Sequence, residues 1–377
     1  MKKRILSPAL LLVALAMLAA CSSADDPKPK ADSPKTGTTP LTPAAPVAGE
    51  QDIFFCFWNV ENLFDDKDDL RNSTDEPFDN AFAHNDDLRK LKLDHLATIL
   101  SKMNGGKGPD VIALVEVETV RAGELLRDAL NEKLDEKTPK YKSIAMKNLD
   151  AGRHISPCVI SRLPLAQTTT KLHGYKLRIL ETHLIVNGHD LGILAAHWTS
   201  KIRKDDGTDG ETGRRNYANV IAGVYSNMVK KNPDVDILVC GDFNDTPESD
   251  PVVKSMRAVG DREEVKKSAN AEKPMMFDLM AGKDATKFGT IWYDNAPHIY
   301  DHICVSPGLL DDKGWTCAPA SLMTVTNGLI RPGATRRQPW RFDDPGRNVK
   351  DADRGFSDHF PVTVKLSVSP ANLPPKP

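Results

Sequence analysis

The stretch DVDILVCGDFNDTP, Asp234 to Pro247, decides how the rest of the chain is read. Its apolar run Ile237-Leu238-Val239-Cys240 has the length and composition of a strand buried on both faces. The run ends abruptly in Gly241-Asp242-Phe243-Asn244-Asp245. Side chains alternate along a strand, so Asp242 and Asn244 are expected on the same side of its C-terminal end. Gly241 reads as the point where the backbone turns. A rigid strand that delivers a carboxylate and a carboxamide to a rim can hold a catalytic pair still. An Asx-rich turn would use the same residues.

Other strands repeat the pattern. Ile53-Phe54-Phe55-Cys56-Phe57 runs out into Asn59 and Glu61, and Val111 to Val115 ends at Glu116 and Glu118. Arg178 to Val186 and Leu191 to Trp198 flank Asn187-Gly188, a hairpin signal, and the second arm ends at His197. Gly289 to Tyr293 and Tyr300 to Val305 read as two strands around Asn295-Ala296-Pro297, the second carrying Asp301-His302. Phe360 to Val368 follows Asp358-His359 at once. Helices are expected from Leu88 to Met103, closed by Asn104-Gly105-Gly106, and over Arg121–Leu134, Thr212–Lys231 and Ser249–Val259. The last long one presents Val220, Val224, Tyr225 and Met228 as its apolar face. Asp65 to Asp87 reads as a solvated acidic loop without calcium-loop spacing. Hairpins mixed with strand–helix alternation argue for mixed sheets. Six strands each handing a carboxylate, carboxamide or imidazole to a rim is the strongest signal in the chain.

The 377 residues suffice for one domain plus tails, and the formal charge of -2 gives no global sign of a nucleic-acid or anionic-membrane partner. Lys2-Lys3-Arg4, the apolar Ala9 to Leu18 and the ending Leu18-Ala19-Ala20-Cys21 resemble a bacterial lipoprotein signal. Residues 1–20 are then a cleaved leader, and Cys21 a lipidated anchor in the cell envelope. Ser22 after the cysteine favours the outer membrane. Residues 21–51, with six prolines between Pro27 and Pro46, read as a disordered tether, 52–369 as the folded domain and 370–377 as a disordered tail. Cys56, Cys158, Cys240, Cys304 and Cys317 are odd in number and lack zinc spacing; most lie in apolar runs as small hydrophobes, and no Cys304–Cys317 bridge is predicted. Arg331, Arg336, Arg337, Arg341, Arg347, Lys350 and Arg354 form a late basic run, read as a solvated loop with a phosphate-facing alternative.

The motifs WNVENLF, ALVEVE, VISRLPL, AHWTSK, GDFND, YDHICVS and SDHFPV, in this order, make the chain similar to the endonuclease/exonuclease/phosphatase superfamily. That resemblance spans about residues 52 to 368. It implies an α/β four-layer α-β-β-α sandwich, two mixed sheets packed face to face with flanking helices, and a phosphoester hydrolase that uses magnesium or manganese. It implies Glu116 as metal ligand with Asn59 and Glu61 beside it, and Asp358 as help for a second cation. His359 would be the general base, oriented by Asp301. Asp242 would orient the water or carry a proton, and His197 and Asn244 would stabilise developing charge. Arg153 would touch phosphate or be a plain loop residue, and His302 is read as packing. The inositol-phosphatase branch usually has Arg where His359 stands, which weakens that branch. A nucleic-acid phosphodiester is favoured as substrate over a phospholipid or a monoester. A monomer is expected, and a catalytically inactive binding protein on the same fold is the distant alternative.

Overall fold

A computed structural model describes residues 51–69, 71, 74–201 and 209–370. The leader, Cys21, the tether up to residue 50 and the tail beyond residue 370 lie outside the described residues. Among those described, no helix is long and apolar enough to cross a membrane.

In chain order the strands are β1 Gln51–Leu63, β2 Val111–Val117, β3 Ser143–Met146, β4 Ser156–Ser161, β5 Lys171–Leu172, β6 Ile179–Val186, β7 His189–His197 and β8 Asp236–Asp242. They continue with β9 Ala258–Val259, β10 Met276–Asp278, β11 Ile291–Tyr293, β12 Ala296–His298, β13 Asp301–Val305, β14 Trp315–Thr324 and β15 Val362–Val368. The principal helices are α1 Glu76–His84, α2 Asp86–Gly106, α3 Val120–Lys133 and α4 Glu211–Lys231. One sheet runs β14-β15-β1-β2-β4-β3, the other β5-β6-β7-β8-β13-β10-β9. Each is mixed: β1 and β2 are parallel, as are β7 and β8, while β15 and β13 run against their neighbours β1 and β8.

Period-two alternation sorts the side chains into layers. Ile53, Phe55, Phe57, Val111 and Ala113 point inward with Leu238, Cys240 and Ile303 to form the core between the sheets. The intervening Cys56, Trp58, Ile112 and Leu114 face outward and are covered by Leu93, Leu96 and Leu100 of α2 and Leu126 and Leu130 of α3. On the other side Ile237 and Val239 are covered by Tyr217, Ile221 and Tyr225 of α4. Four layers result, as the motifs implied. All five described cysteines are free and buried among these apolar groups.

Several expectations are corrected. The buried stripe of α4 is Tyr217, Ile221, Tyr225 and Val229, with Val220, Val224 and Met228 on its flank. The segment Ser249–Val259 yields only a one-turn π-helix, Pro251–Met256. β11 pairs with β12, while Tyr300–Val305 leaves that hairpin and β13 joins β8. The acidic stretch 65–87 is not a solvated loop: it holds α1, and Asp65, Asp75 and Asp79 are buried. Arg153 pairs with Asp75, and the amides of Asp69 and Arg71 donate to Asp79. Gly241 has no left-handed φ; a Cβ there would collide with the carbonyl oxygen of Ala196 and the ring of Phe243. Its job is close approach between strands rather than a turn.

Candidate active site

Sheet register assembles the site. β7 and β8 run parallel with His197 opposite Asp242, and β13 runs back with Asp301 opposite Asp242. Three side chains distant in sequence thus become neighbours at one rim. β1 and β2 end at the same edge, and the turn before β15 brings Ser357 and His359 there. Trp58 Nε1 donates to the His359 carbonyl at 2.9 Å, and Ser357 Oγ donates to the Asn59 carbonyl at 2.6 Å.

Asp301 is fully buried, and its Oδ2 accepts from His359 Nδ1 at 2.7 Å. Burial opposes a charge on His359, but Asp301 and then Asp242 outweigh it and hold the imidazole well above its ordinary value. His359 Nε2 lies 3.7 Å from Asp242 Oδ2. Burial, reinforced by Asp301, raises the Asp242 carboxyl to about 7 against the opposing pull of His359. Asp301, His359 and Asp242 therefore form a line along which one proton can be handed on.

His197 behaves oppositely. Burial and the neighbouring cations Arg178 and Arg153 hold it well below its ordinary value. Arg178 Nη1 donates to its Nδ1 at 3.0 Å, so Nε2 of the neutral ring carries the hydrogen. That Nε2 lies 3.6 Å from Asp242 Oδ2 and 3.7 Å from Glu116 Oε1. Arg178 was not singled out from the sequence. The hairpin register pairs Ile179 with Ala196, so Arg178 stands opposite His197, and the Asn187-Gly188 turn already implied that pairing.

Glu116 and Asn59 sit where their strands lose regularity. The β1–β2 register shifts between Asn59 and Leu63, and β2–β4 shifts between Leu114 and Val117. Glu61, Asn62, Glu116 and Asn244 all have φ between 51° and 63°, uncommon for residues with a Cβ. Such irregularities at strand ends re-aim side chains, and strain of this kind gathers at functional sites. Asn59 Nδ2 donates to Asp242 Oδ2 at 3.0 Å and to Glu116 Oε1 at 3.3 Å, so the carboxylates share one donor. The amide of Asn62 holds the other oxygen of Glu116 at 3.0 Å. The result is a partly open Glu116 carboxylate beside that of Asp242, hard oxygen donors that fit a magnesium-like cation, while the carboxamide oxygen of Asn59 accepts from the Glu61 amide. Asn244 is held by its own amide to Asp242 Oδ1 at 2.8 Å and by Nδ2 to the Trp198 carbonyl.

The positive φ at Glu61 breaks the alternation that placed Glu61 beside Asn59. Its carboxylate is taken instead by Arg341 Nε and the Phe342 amide, at 2.8 and 2.9 Å. Asp358 Oδ2 lies 3.3 Å from the same guanidinium. Both carboxylates expected beside the metal, Glu61 and Asp358, are thus paired with Arg341 in this structure. Arg153 is fixed to Asp75 and to Asn62 Oδ1 and still adds positive charge at His197. His302 packs, stacked 4.6 Å from Phe243, but it also bonds Asp278 Oδ2 at 2.8 Å and the Asp245 carbonyl at 3.0 Å. That link from β10 to the loop carrying Asn244 left no mark in the local sequence. Among the described residues, the potential cation-binding groups of His, Cys and carboxylates are Asp278–His302–Cys304 and Asp242–Asp301–His359. Both nitrogens of His302 are occupied, whereas Asp301 Oδ1 is buried without a hydrogen-bond partner although its Oδ2 takes His359 Nδ1.

Residues 54–368 match the profile of the Endonuclease/Exonuclease/phosphatase family. No curated protein matches by sequence. Among solved structures, the mannosyl-6-phosphatase Bt3783 of Bacteroides thetaiotaomicron is similar at 15% identity and a TM-score of 0.50, covering 83% of this chain and 99% of its own. A second endonuclease/exonuclease/phosphatase family protein of Bacteroides thetaiotaomicron is 14% identical with a TM-score of 0.49, covering 85% and 99%. Truncated TDP2 of Caenorhabditis elegans is 15% identical with a TM-score of 0.47, covering 84% and 98%.

Proposed function

The chain belongs to the Endonuclease/Exonuclease/phosphatase family, and from that premise we propose that it is a divalent-metal-dependent phosphodiesterase acting on nucleic acid. The observation that carries the proposal is the convergence of Glu116, Asn59, Asp242, His197 and the His359–Asp301 pair on one rim.

Glu116, with Asn59 beside it, would hold a magnesium or manganese ion. Such an ion, when bound, neutralises phosphate charge and polarises the P–O bond. The chain's own groups do the rest. His359 takes a proton from water as the oxygen attacks phosphorus in line with the leaving oxygen. Asp301 orients the ring and offsets the charge it gains. Asp242 orients the water and can pass a proton along. The Nε2–H of His197 and the carboxamide of Asn244 donate to oxygens that become more negative as the P–O bond breaks. The leaving oxygen departs with a proton drawn from the protonated dyad or water.

Support for an extended anionic substrate comes from what flanks the rim. Lys201 lies 5.4 Å over the ring of Tyr300, which packs against His298 and Tyr293. Lys201 is paired with Asp245 Oδ1 at 2.8 Å and Tyr300 is buried, so the half-buried rings of Tyr293 and His298 are what this flank offers to a base. The late basic run adds less than its sequence suggests: Arg331, Arg347 and Arg354 pair with Asp353, Asp343 and Asp351. We further propose lipidation at Cys21 and a place in the bacterial envelope, outer membrane favoured, from the sequence of the leader alone. Side-by-side magnesium-dependent assays on DNA, RNA, sphingomyelin and a chromogenic diester test the substrate. Faster release from sphingomyelin than from either nucleic acid would replace it.

A further inference from the structure

At the end of the sandwich opposite the catalytic rim, β7 and β8 begin side by side, with Leu191 opposite Asp236. Asp236 stands six residues before Asp242 on β8, about 20 Å away at the rise of an extended strand. A cavity of about 380 Å³ opens there, bounded by the hairpin turn at Gly188, the loop from α4 to β8 and the turn before β14. Its size suits a small organic molecule. The lining is acidic: Asp190, Asp234 and Asp236 stand against Lys313. Lys313 Nζ stays 4.0 Å from Asp234 Oδ2, both side chains largely exposed. Asp236 differs, being only 8% exposed. Its Oδ2 accepts from the Trp315 amide at 3.0 Å, but its Oδ1 is buried with no hydrogen-bond partner. Burial raises this carboxyl to about 7 against the pull of the Trp315 amide, and Asp311, Asp190 and Asp234 add to the rise. His189 lines the same cavity, and its Nε2 is likewise buried without a partner. Buried polar atoms are normally paired, so two orphans on one cavity wall mark a place for a ligand. Gly314 keeps the gap between them open: a Cβ there would lie 2.8 Å from Asp236 Oδ2 and 3.4 Å from His189 Nδ1.

A cation bearing N–H groups answers this wall better than an anion or a bare metal ion. The negative field repels anions. Among the described residues, the His, Cys and carboxylate groups placed to share one metal ion lie elsewhere, at Asp278–His302–Cys304 and Asp242–Asp301–His359. An ammonium or guanidinium carries several donors and is large enough to reach more than one acceptor. We propose that this cavity binds a small organic cation, with its ammonium or guanidinium group seated between Asp236 and His189. Its charge offsets that of Asp236, and its N–H groups donate to the carboxylate and to an imidazole nitrogen. The walls are preformed by backbone ties: Trp315 Nε1 donates to the His189 carbonyl at 3.1 Å, and Ser306 Oγ donates to the Val235 carbonyl at 2.8 Å. No group of the catalytic rim takes part, so the site stands or falls apart from the phosphodiesterase reading.

The test is isothermal titration calorimetry on the full-length chain with two probes, agmatine, which carries a guanidinium and an ammonium, and spermidine. The wild type binds one molecule of at least one probe per chain, saturably. Asp236→Asn keeps the side-chain shape and the acceptor for the Trp315 amide but removes the charge. It should bind roughly 10-fold more weakly or worse, the scale of one charge-assisted hydrogen bond, with phosphodiester turnover equal to the wild type. His189→Ala should weaken binding as well and keeps the test open if Asp236→Asn does not fold. No saturable heat from either probe overturns the proposal. Equal affinity in the wild type and a folded variant also overturns it, because the attraction is then a general one to an acidic surface. Saturable binding of Mn2+ alone, lost in Asp236→Asn and with neither organic cation bound, overturns it in favour of a metal site.

Discussion

The carboxamide of Asn59 donates to Asp242 Oδ2 at 3.0 Å and so ties the end of β1 in one sheet to the end of β8 in the other. The same nitrogen reaches Glu116 Oε1 at 3.3 Å. One side chain therefore spaces two carboxylates that would otherwise repel. Asn59→Ala should lower kcat by roughly 10²-fold, the scale of losing one aligned donor. Asn59→Asp should do worse, because it puts a third carboxylate between the two. Steady-state kinetics on a chromogenic diester, with a urea midpoint as folding control, measures both.

Asp301 sets the working pH. It holds His359 well above its ordinary value, and a base acts only once it has lost its proton. Activity should therefore fall as pH drops through the raised value of His359. Asp301→Asn removes the carboxylate that raises it, so the acid limb of kcat against pH should move to lower pH while the plateau drops. An unmoved limb would assign that limb to Asp242 instead, whose carboxyl stands at about 7.

Gly241 is required by packing. A methyl group there meets the Ala196 carbonyl and the Phe243 ring, and Phe243 is itself stacked 4.3 Å from Trp198. Gly241→Ala should cost about 1–3 kcal/mol in a urea melt, the usual penalty for overpacking, and should displace Asp242 as well.

Asp278 and His302 form a fully buried pair 2.8 Å apart, and His302 passes that anchorage to the Asp245 carbonyl. Asp278→Ala leaves the imidazole without its partner and should cost about 3–5 kcal/mol. Turnover measured well below the melting temperature should fall too, because the loop bearing Asn244 loses its tie.

What could be read from the sequence follows from regularity. The layers were legible because Ile53, Phe55 and Phe57 against Cys56 and Trp58 obey a period of two, and the backbone of α2 leaves helical geometry at Met103–Gly105, where Asn104-Gly105-Gly106 is expected to close it. Asp242, His197, Asp301 and His359 could be named because each caps a regular strand or adjoins one. Glu61 could not be placed, since φ of 51° at that residue turns its side chain away from Asn59. Arg341 escaped because its partner Glu61 is 280 residues away, reached through a loop with no periodicity. The ordered acids of 65–87 were misjudged for the same reason: their donors Arg153 and the amides of Asp69 and Arg71 come from folding, not from local pattern.

The central claim is that Glu116 and His359 act on one phosphoester through one bound cation. The most direct measurement is the rate of phosphodiester hydrolysis by the wild type, Glu116→Gln and His359→Ala across a magnesium titration, with EDTA at its origin. The account predicts no turnover in EDTA, a saturable rise with magnesium in the wild type, and a loss of at least about 10²-fold in both variants with melting temperatures preserved. Turnover undiminished in EDTA, or full activity in both variants, would contradict it.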